Sequence, residues 1–137
     1  MKFILLIFLS INSFSQSDMS QEMKDKFQKA SEFFDKEKKR NTDGVKSKLK
    51  ELAAKFDESN LDFNDRATYN AGAIMSFVKK DPNAIINIDI RTNQIRVVMQ
   101  YLHFNDKSIG VIEFDKDSFD VISSDLCRGF EGNCSLW

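Results

Sequence analysis

The hydrophobic period of this chain changes once, and it changes at the only proline, Pro82. Before Pro82 the apolar residues recur at steps of three and four; after it they alternate with polar ones. That order restricts the chain to helices followed by strands joined through short turns, an α+β arrangement with an antiparallel meander and no alternating βαβ units. The length of 137 residues suits one domain, and 42% hydrophobic content with five glycines excludes low-complexity disorder. With 20 basic and 21 acidic side chains, the net charge of -1 gives no footprint for nucleic acid.

The first fifteen residues belong outside the fold. Lys2 is their single positive charge, Phe3 to Leu9 is an unbroken apolar run, and Ser13-Phe14-Ser15 puts small residues where a signal peptidase reads them before a cut preceding Gln16. The run is too short for the ~20 residues of a membrane-spanning helix. Residues 1–15 are therefore expected to be a signal peptide and 16–137 a single α+β domain, exported to a periplasmic or extracellular compartment with no stable membrane anchor after cleavage. The first cysteine is Cys127, so the new terminus offers no site for a lipid.

About three amphipathic helices are expected. Met19, Met23, Phe27, Ala30 and Phe34 form one stripe over residues 19–39, and Lys36, Lys38, Lys39 and Arg40 would complement the carbonyl end of that helix. Asn41-Thr42-Asp43-Gly44 has the composition of a break and a new cap. Val45, Leu49, Leu52, Ala53 and Phe56 then mark a second helix, folded back on the first as a hairpin. A third begins near Asn64 or Asp65, presents Ala67, Ala71, Ile74, Met75 and Val78, and stops at Asp81-Pro82. Its small residues, Gly72 among them, predict close packing against a neighbour.

Three or four antiparallel strands follow. Ile86, Ile88 and Ile90 alternate with polar residues, residues 95–104 are rich in branched and aromatic side chains, and Asn105-Asp106-Lys107 returns the chain into 108–114. A fourth strand is expected at 119–123.

The chemistry-bearing residues are few. His103, the only histidine, shares strand parity with Ile95, Val97, Met99 and Tyr101, which makes a hydrogen-bonded or rim position its default. No second histidine or nucleophile motif accompanies it, so no catalytic residue is assigned. Zinc ligands are too few, the glycines spell no nucleotide loop, and Asp115, Asp117, Asp120 and Asp125 lack the glycine and distal glutamate of a calcium loop. No metal or cofactor is expected. Cys127 and Cys134 enclose a short loop with Gly129 and Gly132, which in an oxidising compartment reads as a disulfide. Phe130 inside that loop, with Leu136 and Trp137 beyond it, either closes onto the core or meets a protein partner.

These features lead to an exported binding or inhibitor-type protein, an immunity-like one among the forms it could take, that acts through protein contact. Two alternatives stand beside it. One is a carrier of an apolar small molecule; the other is a small hydrolase using His103 with an acid such as Asp89 or Glu113.

Overall fold

In the computed structural model, residues 20–57 and 63–129 are described. Among the described residues two helices, α1 (Gln21–Asp57) and α2 (Arg66–Lys80), precede strands β1 (Ile85–Ile90), β2 (Gln94–His103), β3 (Asp106–Asp115) and β4 (Val121–Cys127). The strands form one antiparallel sheet in the order β1-β2-β3-β4. The α+β class and the four-stranded meander are as expected. No described helix is long and apolar enough to cross a membrane. Residues 1–15, the expected signal peptide, lie outside the described residues.

The expected hairpin of two helices is instead the single helix α1. Asn41-Thr42-Asp43-Gly44 does not break it, because packing outweighs the weak local preference of these residues. Asn41 is only 1% exposed. Gly44 is small because the Phe119 ring sits where a Cβ would stand. A glycine inside a helix costs about 1 kcal/mol, less than burying a single large apolar side chain returns. Lys36, Lys38, Lys39 and Arg40 therefore lie within a helix rather than at its end, and Lys55 is the base in its last turn.

The chain divides into two units between Arg40 and Asn41. In the first, Ser20 caps α1 by accepting the Met23 N–H at 3.2 Å, and Lys26 pairs with Glu22 one turn away. The stripe expected to be buried there is open, with Met23 and Phe34 exposed beside Phe33.

The second unit holds the remaining turns of α1, α2 and the sheet. Val45, Leu49, Leu52 and Ala53 share one core with Ala71, Ile74, Met75 and Val78 of α2 and with the inner face of the sheet. On that face Ile95, Val97, Met99 and Tyr101 of β2 lie opposite Phe114, Ile112, Gly110 and Ser108 of β3. Asp65 starts α2 as expected, its carboxylate accepting the Thr68 N–H at 2.6 Å. Gly72 has the packing role predicted for it, since a Cβ there would press on Phe56 and Phe63. Gly110 has the same role in the sheet, where a Cβ would come within 2.6 Å of Ile74. Ser124 of β4 donates to the Ala67 carbonyl at 2.7 Å and ties the edge strand to α2. On the outer face Ile109 and Val111 form a smaller cluster with Val98 and Cys127.

Candidate functional site

The β2–β3 hairpin sets the geometry of the site. His103 pairs with Asp106, leaving Phe104 and Asn105 as a two-residue turn. Both have positive φ, 51° and 68°, which is the type I′ geometry that suits the right-handed twist of paired strands. Asn105 is a natural occupant of such a turn. Phe104 is not: a bulky side chain in the left-handed region is a backbone outlier costing on the order of 1–3 kcal/mol. Its ring is nonetheless 76% exposed.

Three aromatic rings and one cation gather at this tip. The His103 ring centroid lies 4.1 Å from Phe77 on α2 and 4.3 Å from Phe104, and the Arg128 guanidinium stands 5.7 Å over the Phe104 ring. Between α2, the hairpin tip and β4 opens a cavity of about 390 Å³, lined among others by Ile74, Phe77, His103, Phe104, Leu126 and Arg128. A second cavity of about 380 Å³ lies at the same end of β2 and is bounded by Asp81, Asn83, Tyr101, Lys107 and Ser108.

The polar groups on this stretch of sheet are unusual. His103 is 3% exposed, Tyr101 and Ser108 are equally buried, and His103 Nδ1, Tyr101 Oη and Ser108 Oγ have no hydrogen-bond partner among the described residues. Buried polar groups are normally paired, so three such atoms on one face call for a reason. Burial holds the His103 imidazole below its usual range; Arg128 adds to that effect and Asp106 opposes it. Burial pushes the Tyr101 phenol up, against a smaller opposing pull from Arg128. The histidine is therefore a neutral imidazole near pH 7, on the face that its parity indicates but buried rather than at a rim, and with no hydrogen bond at Nδ1 among the described residues.

The residues singled out in the sequence fall in different places. Asp89 and Glu113 are each paired across the sheet with Arg96, on the face opposite His103, and Asp89 is engaged by Arg91 at 3.0 Å. The structure thus brings neither acid to the histidine; the acid across from it is Asp106. Asp115 accepts the Asp117 and Ser118 N–H groups at 2.9 and 3.0 Å, so its carboxylate shapes the β3–β4 turn. Those bonds hold its pKa below the usual carboxylate range. Among the described residues no group of three or more His, Cys, Asp or Glu stands together in a metal-holding arrangement. Cys127 ends β4, half-buried and opposite Ile109, while Cys134, Phe130, Leu136 and Trp137 lie outside the described residues.

Phe77, Phe104, Asp106, Ser108 and Arg128 are absent from the sequence-derived candidates. Only Phe104 carried a signal there, as an aromatic residue directly before Asn-Asp at a strand end. Comparison with known protein families, curated proteins and solved structures finds no match to this chain.

Proposed function

We infer that the chain is an exported protein-binding module, of the inhibitor or immunity kind, whose contact surface is the β2–β3 hairpin tip. The observation that carries this reading is Phe104, a large aromatic ring held out in solvent on a backbone conformation that disfavours it. Strain of that kind persists where it serves a function, and exposed aromatic and arginine side chains are the groups that dominate binding at protein interfaces. Arg128, stacked on the same ring, supplies the second such group.

Other features fit the reading. Export rests on Lys2, the apolar run and the Ser13-Phe14-Ser15 cleavage pattern. β4 ends beside the hairpin end of β3, with Cys127 paired to Ile109, at the same end of the sheet as Phe104. A Cys127–Cys134 disulfide and a part for Phe130, Leu136 and Trp137 in the contact belong to the same reading.

The test is a cross-linked pull-down from the exported fraction with the wild-type chain and with Phe104→Asn. Asparagine accepts the left-handed conformation, so strain relief and loss of ring contacts offset each other and the melting temperature stays within a few degrees. The reading expects one stoichiometric protein partner that the variant loses. No partner, or equal capture by both forms, overturns it.

The carrier alternative has one observation in its favour, the 390 Å³ cavity with Ala73, Ile74, Phe77 and Leu126 in its wall. Mass spectrometry of the purified chain separates the two readings, since a carrier would bring an apolar small molecule with it.

A further inference from the structure

The opening turns of α1 carry an inference independent of the hairpin contact. An isolated helix of the length of residues 21–40 is marginal in water and draws its stability from packing an amphipathic face. Here that face is open: Met23, Phe33 and Phe34 are exposed, and the Phe33 ring meets Phe34 edge-on at 5.7 Å. Its spacing of three and four is that of Asn41, Val45, Leu49 and Leu52 further along the same helix, all of them buried. The charges beside the stripe indicate what covers it. Lys26 and Glu37 are eleven residues apart, about three turns, so they stand on one flank, each three residues after a stripe residue, Met23 or Phe34. Glu22 and Arg40 extend the same flank farther from the stripe. Lys26 holds Glu22 of its own helix at 3.4 Å in an exposed pair that leaves two of its three N–H donors, and Glu37 makes no ion pair among the described residues.

Along the helix this flank reads Glu22, Lys26, Glu37, Arg40, and its reverse has the opposite sign at every position. A two-fold axis that turns one helix end over end brings each flank against the same flank of the other copy. We propose that residues 21–40 pair antiparallel with the same segment of a second copy of this chain, about an axis beside Ala30 and Ser31. Phe27 of each copy then lies level with Phe34 of the other, Lys26 with Glu37 and Glu22 with Arg40, while the small Ala30 and Ser31 let the backbones approach at the axis. A parallel pair would set Lys36, Lys38, Lys39 and Arg40 beside their own duplicates, whereas the antiparallel one sets them level with Glu22 and Asp25. The other flank, with Lys24, Asp35 and Lys38, is mixed and adds no preference. An anionic membrane would meet Glu37 at the rim of the apolar face, and fits it less well than a second copy does.

The experiment is sedimentation equilibrium of the chain purified from its exported fraction, as wild type and as Phe34→Ser, Lys26→Glu and Glu37→Lys. The wild type is expected to form a dimer with a Kd on the order of micromolar. Phe34→Ser weakens it at least tenfold, and each charge reversal alone at least fivefold, because it sets like charges opposite each other in both symmetric contacts. A 1:1 mixture of Lys26→Glu and Glu37→Lys chains recovers association to within about threefold of the wild type, since the opposite charges meet again at both contacts of the mixed pair. The melting temperature is unchanged in all three variants. A chain that stays monomeric up to about 0.5 mM, whether or not it sediments with phosphatidylglycerol vesicles, would overturn the proposal. A dimer indifferent to Phe34→Ser, or a mixture no tighter than either charge variant alone, would overturn it as well. None of these results depends on whether a protein partner is found at the hairpin.

Discussion

At the scale of single residues, His103 sets a measurable property. Its surroundings disfavour the imidazolium, through burial first and Arg128 second, with Asp106 opposing. In the unfolded chain the imidazole takes up a proton near pH 6.5, whereas in the folded chain it does so only at lower pH. Between those two values the unfolded state holds more protons, so this residue makes stability fall as pH falls; above about 6.5 it has no effect. The slope from one group is at most about 1.4 kcal/mol per pH unit. Urea unfolding from pH 7 to pH 5 is expected to show a shallower decline for His103→Gln than for the wild type. Identical slopes would mean that the histidine is hydrated or paired in the folded state. Its place on the buried face was readable from parity with Ile95, Val97, Met99 and Tyr101. The environment that sets its charge was not, because Arg128 is distant in sequence and reaches it only through the antiparallel return of β4.

Among the elements, the strands were legible to within a few residues because each carries its own alternation. The hairpin turn falls at Phe104-Asn105 rather than at Asn105-Asp106-Lys107, and the cause is the far end of β3. Pairing His103 with Asp106 places Ile112 and Phe114 on the inner face; a three-residue turn pairing Phe104 with Ser108 would send both outward. The helical half was harder to read, since Asn41 to Gly44 has the composition of a cap but the contacts of a core. Phe119, at φ 61° in the β3–β4 turn, lays its ring on Gly44, and no local pattern records that pairing across the chain. It yields a prediction opposite to helix propensity. Gly44→Ala alone should destabilise, because the new methyl meets the ring. In a Phe119→Ala background the same substitution should stabilise by about 1 kcal/mol, the propensity difference between the two residues. Denaturant midpoints of the four chains in that cycle check this, and a Gly44→Ala effect of the same sign in both backgrounds would refute the packing explanation.

For the molecule as a whole, the sheet has one end where core packing is complete and one where it is interrupted. Ile95 and Phe114 are fully buried at one end of the β2–β3 ladder; at the other, Tyr101, His103 and Ser108 are buried with unpartnered polar atoms beside two cavities and an exposed ring. The sequence marked the α+β class, the helix start at Asp65 and the strand faces, because these follow from periodicity and capping. It did not mark the site, which is assembled from α2, the hairpin and the end of β4. The most direct measurement places a photo-reactive phenylalanine analogue at position 104 in the exported chain, with the same group at Ile122 as an exposed control at the opposite end of the sheet. The account predicts one discrete protein adduct from position 104 and none from 122. Adducts from 122 alone, or no difference between the two, would contradict it.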